Sequence, residues 1–219
     1  MSEPKIVLPE LWEQACAPGI GAIVRASSDQ GIIAGVKIAP YPLYPDDRGY
    51  FLEVARMGQG MIAEFPAPTT QVSTALSYSG TIKAFHIHRY QTDFWVPVMG
   101  VFQVGLVDLR EDSPTFRVKN TIYCGALKPL QILIPPGVGH GYKVVSPESG
   151  MLVYVTGIDP ANAGLHSRPL FGVQASIAGT SGIAVSASHA PTACGLTNDL
   201  IASAHRSCTD AMVLDPAEI

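Results

Sequence analysis

The chain has 219 residues, of which 47% are hydrophobic and 15% charged, with a formal net charge of −4. This composition predicts a folded domain rather than a disordered chain. The acidic balance, without any basic run, gives no reason to expect nucleic-acid binding or a membrane partner, and no stretch approaches the roughly 20 apolar residues of a membrane span.

Three zones follow one another along the chain. Residues 1–30 are rich in Gly and Ala and predict an N-terminal arm with one short helix near Pro9–Cys16. Residues 31–165 predict an all-β domain, because short β-branched or aromatic segments alternate with Gly, Pro, Asp or Ser turns. Those segments are IIAGVKIA, GYFLEVAR, TQVSTALSY, TIKAFHIH, FWVPV, VFQVGLVDL, TFRVKNTIY, LQILIP, HGYKVV and MLVYVTG.

Residues 166–219 differ in composition from the β domain. They contain no Lys, Tyr or Trp, and ten of them are Ala. We interpret them as an irregular C-terminal extension, with a weak helical pattern around Ser181–Ala204. No separate core is indicated there.

Features of the whole chain predict a cytoplasmic protein. The four cysteines, at positions 16, 124, 194 and 208, form no CxxC pair, which favours reduced thiols over a disulfide framework. The first residues carry charges and proline but no apolar segment of the kind that a signal peptide needs.

Two motifs carry candidate chemistry. Within Gly80–Gly100, His86 and His88 are two residues apart, so in a strand they share one face, and Asp93 follows five residues later. A second segment, Pro-x-Gly-x2-His, ends at His140. These two segments resemble the signature motifs of the cupins. They predict an antiparallel β-barrel of the cupin type (a jelly roll), flanked by a short N-terminal and an irregular C-terminal extension.

The same four side chains leave two interpretations open. Histidines that point into a barrel are costly unless they are hydrogen-bonded or bind something. Three imidazoles and a carboxylate, from His86, His88, Asp93 and His140, suit a divalent first-row metal with open positions. Alternatively, His88 faces solvent at the end of its strand beside Arg89.

A second resemblance runs through residues 33–156. In chain order its segments are DDRGYFLE at 46–53, QVS at 71–73, KAFH at 83–86, VDLR at 107–110, SPTF at 113–116, and IPPG at 134–137 followed by HGY at 140–142. Together they resemble the linked motifs of the dTDP-4-dehydrorhamnose 3,5-epimerases. That family is itself a cupin-type barrel, works without a metal or other cofactor, and is usually dimeric. The resemblance therefore implies a homodimer, in which a strand near Ile32–Ala39 would pair across the interface.

The resemblance also implies a reaction. In a 4-keto-6-deoxyhexose nucleotide, C3 and C5 lie next to the keto group. Removal of a proton from either carbon gives a resonance-stabilised enolate. His86 corresponds to the family's base, since histidine, with a reference pKa of about 6.5, is largely neutral in the cell. Tyr154 corresponds to the proton donor on the other face of the ring.

The remaining motif positions imply substrate contacts. Arg48 would hold the diphosphate through paired hydrogen bonds. Gln71, Glu53 and Lys83 would contact the nucleotide or phosphates, and His140 would line the mouth of the site.

The chain departs from the family pattern at several positions. Asp93 stands where a lysine usually stabilises the developing oxyanion, Lys83 replaces an arginine, and Ser73 replaces an asparagine. The family's downstream segment, whose aspartate orients the catalytic histidine, has no counterpart, so we predict that Asp93 takes over that role. Lys83 and His86 are three residues apart, so a regular strand would separate them unless a bulge intervenes or Lys83 reaches a neighbouring subunit.

Three functions fit these residues. The first is a metal-free sugar-nucleotide epimerase or isomerase that uses His86 and Tyr154. The second is a metal-dependent cupin enzyme that uses the three histidines with Asp93. The third is a non-catalytic cupin that binds a sugar nucleotide, which the missing lysine and downstream segment would explain.

Overall fold

The structure, a computed structural model, describes residues 5–6, 21–165, 174–177 and 183–186. The helix predicted at Pro9–Cys16 lies outside these residues. Within them, no helix has the length and apolar character needed to cross a membrane.

Strands dominate the described part of the chain. They are β1 (Ala22–Ile23), β2 (Lys37–Pro40), β3 (Leu43–Asp46), β4 (Gly49–Leu52), β5 (Gln71–Ser77), β6 (Ile82–His86), β7 (Gln91–Met99), β8 (Val101–Asp108), β9 (Lys119–Gly125), β10 (Leu130–Ile134), β11 (Val138–Val144), β12 (Gly150–Ile158), β13 (Gln174–Ile177) and β14 (Ile183–Ser186). Short 3-10 turns occupy Gly60–Ile62, Ala67–Thr69 and Pro160–Leu165.

Two large sheets form the domain. One has the order β1-β9-β8-β11-β6-β13-β14 and the other the order β2-β10-β7-β12-β5, while β3 and β4 form a separate hairpin. The strands pair antiparallel apart from β1 with β9. The predicted all-β, cupin-type jelly roll is confirmed as this two-sheet arrangement.

The two sheets share one hydrophobic core. The first sheet contributes Phe102 and Ile122, and the second contributes Ile132 and Leu152, all of which are fully buried. This core fills the space between the sheets, because strand residues at alternate positions point to the same face. A smaller cluster, with Phe94 and Val96 at its centre, packs on the other face of the second sheet, beneath the β3–β4 hairpin.

Some of the predictions for the two ends of the chain can be compared with the described residues. The weak helical pattern around Ser181–Ala204 is wrong at Ile183–Ser186, which forms β14 and pairs with β13; the rest of that stretch lies outside the described residues. In the region near Ile32–Ala39, β2 pairs with β10 of the same chain. Pairing across a dimer, and the domain limits at residues 31 and 165, stay predictions.

A buried acidic network closes the loop after β8. The Asp108 side chain is fully buried and accepts hydrogen bonds from Arg110 Nε (2.8 Å), Arg110 Nη2 (2.8 Å), Ser113 Oγ (2.6 Å) and Thr115 Oγ1 (2.6 Å). Ionised and fully hydrogen-bonded, this carboxylate holds the loop in one conformation.

The loop in turn positions the turn before β11. Gly137 has a φ of +79°, and a Cβ at this position would lie 2.5 Å from Arg110 Cγ, so the close approach requires glycine. The Gly137 amide donates to the His88 carbonyl oxygen at 2.8 Å. The network therefore supports the chain at two places, the turn at Gly137 before β11 and the segment at His88 after β6.

Replacing Asp108 by asparagine is expected to lower the free energy of unfolding by about 3 kcal/mol at pH 7, because it leaves the Arg110 charge without its partner. Burial alone raises the pKa of Asp108, but the hydrogen bonds from Arg110, Ser113 and Thr115 outweigh burial and lower it. The stabilisation is thus present above the unfolded-state pKa of about 3.9 and is lost as the pH falls through the lower folded-state pKa.

Urea unfolding of wild type and Asp108→Asn between pH 3 and 8 checks this expectation. The difference between the two proteins should be constant above about pH 5 and shrink below about pH 4. The exposed neighbour Asp112 provides the matched control, since Asp112→Asn should change stability by less than about 0.5 kcal/mol. Equal stability of wild type and Asp108→Asn at pH 7 would contradict the assigned network.

Candidate active site

A cavity of about 340 Å³ lies between the two large sheets. The first sheet and the residues directly after β6 supply Lys83, His86, His88, His140 and Tyr142. The second sheet supplies Gln71, Ala75, Gln91, Asp93, Trp95, Leu152, Tyr154 and Thr156. Its volume lies within the range of about 300–1,000 Å³ that is typical of small-molecule sites.

A β-bulge brings Lys83 and His86 to the same cavity. In the pairing of β6 with β11, His86 is opposite His140 and Lys83 is opposite Tyr142, with a register shift between the two pairs. Three steps along β6 therefore correspond to two along β11, and the extra residue restores a common face. Of the two explanations left open for Lys83, the structure thus has the bulge.

Gly141 makes the bulge possible. A Cβ at Gly141 would lie 2.4 Å from Ala84 Cβ and 2.7 Å from Ala84 Cα. Gly141→Ala is therefore expected to push β6 away from β11 and to cost about 1–3 kcal/mol of unfolding free energy. Urea unfolding measures this loss. Adding Ala84→Gly should restore part of it, and a fully stable Gly141→Ala protein would contradict the described contact.

His86 and Tyr154 occupy opposite walls of the cavity. His86 comes from β6 of the first sheet, and Tyr154 comes from β12 of the second. Burial, together with the neighbouring His140 and His88, lowers the pKa of His86 to about 4. The imidazole is consequently unprotonated at neutral pH, and a ring bound between the walls would meet an imidazole on one face and a phenol on the other.

Asp93 pairs with His140 rather than with His86. His140 Nε2 lies 2.9 Å from Asp93 Oδ2, and Gln91 Nε2 donates to Asp93 Oδ1 at 2.5 Å. Burial by itself raises the pKa of Asp93, but the neighbouring His140, His88 and Gln91 side chains leave it lowered. The predicted role of Asp93 in orienting His86 stays a prediction, while its contacts lie with the other two histidines.

His88 is buried, with 7% of its surface exposed. Its Nε2 lies 3.6 Å from Asp93 Oδ2, and its Nδ1 is buried without a hydrogen-bond partner. Burial is the main cause that lowers the pKa of His88 to about 4. The side chain lines the cavity, so the interpretation of His88 as a solvent-facing residue at a strand end is wrong.

The predicted substrate-binding residues divide into two groups. Gln71, Lys83 and His140 line the cavity, and burial lowers the pKa of Lys83. Arg48 lies outside it, in the β3–β4 turn, where its side chain is 81% exposed and pairs with Asp46 at 2.7 Å. Glu53 also lies outside, with its carboxylate 2.5 Å from Arg56. Within one chain, the structure does not bring Arg48 and Glu53 to the cavity, and their roles stay predictions.

Sequence reasoning did not assign a site role to several lining residues. Trp95 makes edge-to-face contacts with His140 (ring centroids 5.2 Å apart) and with Tyr142 (5.7 Å). The Tyr142 hydroxyl forms a hydrogen bond with Ser77 Oγ at 2.9 Å. Strand alternation could have predicted two of them, because residues two positions apart in a strand share a face. Trp95 is two residues from Asp93, and Thr156 is two residues from Tyr154.

Comparisons with known proteins agree with this geometry. The sequence model of the family "dTDP-4-dehydrorhamnose 3,5-epimerase" matches residues 30–167. The spore coat polysaccharide biosynthesis protein SpsL of Bacillus subtilis (strain 168) is 41% identical over 125 residues, which are 57% of this chain and 80% of SpsL. The probable low-salt glycan biosynthesis epimerase Agl13 of Haloferax volcanii is 30% identical over 122 residues, which are 55% of this chain and 76% of Agl13.

A solved structure shows the same fold. The dTDP sugar isomerase from Desulfovibrio desulfuricans G20 superposes with a TM-score of 0.53 at 21% sequence identity, over 57% of this chain and 78% of that one. The family match covers the β domain and contains the residues that line the cavity. The chain therefore belongs to the dTDP-4-dehydrorhamnose 3,5-epimerase family of sugar-nucleotide epimerases.

Proposed function

We propose that the protein epimerises a dTDP-linked 4-keto-6-deoxyhexose at a carbon next to the keto group. His86 removes the proton from one face of the sugar ring, and Tyr154 returns a proton to the other face. The observation that carries this proposal is the position of these two side chains on opposite walls of one cavity. Inversion requires this division of labour, because a single base that removes and returns the proton on one side restores the original configuration.

Individual side chains of the cavity lining support a nucleotide-sugar substrate. Lys83 places a positive charge at the cavity, which suits a diphosphate or the developing enolate oxygen. Gln71 offers an amide, and Trp95 offers an aromatic surface for an apolar part of the substrate. SpsL and Agl13 are named for polysaccharide and glycan biosynthesis, which supports a product destined for a glycan.

A homodimer is part of this proposal. The β3–β4 hairpin carries exposed aromatic side chains, Tyr44 at 59% and Phe51 at 67%, beside Arg48. Exposed apolar groups of this kind are typical of a surface that another protein covers. Light scattering coupled to gel filtration should give twice the mass of the chain; a monomer at micromolar concentration would contradict the dimer.

Proton exchange with solvent tests the reaction. In D2O, the wild-type protein should replace the hydrogens at C3 or C5 of the 4-keto substrate with deuterium, and NMR follows the loss of their signals. The matched control is the same sugar nucleotide with a hydroxyl at C4, which forms no enolate and should not exchange. Exchange no faster than in buffer alone, with the substrate bound, would overturn the proposed function.

A further inference from the structure

A cluster of three buried side chains joins the facing sheets. His140 lies on β11 and Asp93 on β7, and His88 lies two residues after the end of β6. Each exposes 7% or less of its surface. One ligand atom from each lies within 4.8 Å of the other two.

The hydrogen bonds around His140 call for a cation. Its Nδ1 lies 2.9 Å from the Val138 carbonyl oxygen, which only accepts, so Nδ1 carries the hydrogen. A neutral imidazole then presents a lone pair at Nε2, yet Nε2 faces the Asp93 carboxylate at 2.9 Å. Two acceptors at this distance repel each other, so a cation, either a second proton or a metal ion, belongs between them.

His88 distinguishes a metal ion from a proton. A second proton on His140 would satisfy Asp93 but leave His88 Nε2 3.6 Å from Asp93 Oδ2, beyond hydrogen-bond distance. A buried imidazole without a partner is costly. An ion shared by all three side chains would give His88 a bond through the nitrogen it turns toward Asp93.

We propose that His88, Asp93 and His140 bind a divalent first-row transition metal. Two nitrogens and one carboxylate oxygen are a ligand set that such metals accept with positions left open. Ligands about 2.1 Å from a metal lie about 3.0–3.4 Å apart at angles near 90–110°. The distances to Asp93 Oδ2, 2.9 Å and 3.6 Å, fall just below and just above this range, so shifts of about 0.1–0.2 Å would bring both nitrogens to ligand distance.

The surroundings orient two of the ligands for this role. A histidine that binds a metal usually donates its other N–H to a backbone carbonyl or carboxylate, as His140 does to Val138. Gln91 holds Asp93 Oδ1 and leaves Oδ2 directed at both histidines. His86 is not among the three ligands, so the proposed base stays available beside the ion.

The bound ion would also change the charge of the site. Asp93 alone would oppose the negative charge of an enolate, whereas a divalent ion on the same carboxylate stabilises it as a Lewis acid. This role rests on the proposed epimerase function, but binding of the metal does not.

Metal titration tests the site. The purified full chain is stripped with a chelator and titrated with Co2+, whose visible absorption reports coordination. We expect about one equivalent to bind, and we expect Asp93→Asn and His88→Ala each to weaken binding by about 100-fold or more, since even the loss of an outer-shell partner costs about 10–100-fold. His86→Ala is the matched control, a histidine of the same cavity that should leave Co2+ affinity unchanged.

The outcomes separate the two proposals. If Asp93→Asn fails to fold, Gln91→Leu should still weaken Co2+ binding by about 10-fold. No saturable binding by wild type, or equal affinity in wild type and His88→Ala, would overturn the metal site. Co2+ binding without deuterium exchange would support the metal site and reject only the epimerase function. Deuterium exchange by a protein that binds no Co2+ would support the epimerase function and reject only the metal site.

Discussion

Replacing His86 by alanine is expected to slow deuterium incorporation next to the keto group by about 10²–10⁴-fold, the range that a positioned acid or base contributes. His86 lines the cavity, and burial keeps its imidazole unprotonated. The alanine variant removes the base and leaves the other wall intact. NMR in D2O at saturating substrate measures the exchange rate directly, without knowledge of the final product.

Two controls make the His86 result specific. The thermal unfolding midpoint and the affinity for the sugar nucleotide should stay close to those of wild type, because the change truncates one half-buried side chain. Added imidazole should restore part of the exchange by occupying the vacated space. Exchange at the wild-type rate in His86→Ala would reject the base assignment even if the protein proves to be an epimerase.

Removing the hydroxyl of Tyr154 is expected to separate exchange from inversion. In Tyr154→Phe, His86 still removes a proton and returns a deuteron to the same face, so deuterium is incorporated with retention of configuration. Inversion should fall by about 10²–10⁴-fold, because the donor on the opposite face is absent. The 13C chemical shifts of the sugar ring distinguish the deuterated starting sugar from its epimer.

Two other tyrosines serve as comparisons. Tyr78 is 76% exposed, so Tyr78→Phe should leave both rates unchanged. Tyr142 lines the same cavity, but its hydroxyl is engaged with Ser77 at 2.9 Å. If Tyr142→Phe abolished inversion while Tyr154→Phe retained it, the donor would be Tyr142, and the assignment of Tyr154 would be wrong.

The sequence predicted the fold because the signals were local. Alternating β-branched residues and glycine or proline turns indicated most strands of residues 31–165, and the family resemblance associated His86 and Tyr154 with one site. Their common cavity depends on the two large sheets facing each other, because His86 lies on β6 and Tyr154 on β12, and no local pattern predicts that contact. The shared face of Lys83 and His86 did not follow, because the bulge depends on the register with β11 and on the space that Gly141 leaves.

Contacts between the sheets were beyond local patterns. Asp93 and His140 come from strands in different sheets, and no spacing rule fixes the 2.9 Å between them. The sequence therefore associated Asp93 with His86 by proximity along the chain. Arg48 was associated with the site by its motif alone, and within one chain it lies at an exposed turn.

The fate of the substrate in D2O tests the central claim most directly. The wild-type protein is mixed with a dTDP-linked 4-keto-6-deoxyhexose, and NMR follows the configuration and the deuterium content of C3 and C5 together. The proposed mechanism predicts an epimer that carries deuterium at each inverted carbon. A bound substrate whose configuration and hydrogen content stay unchanged, at an enzyme concentration equal to that of the substrate, would contradict it.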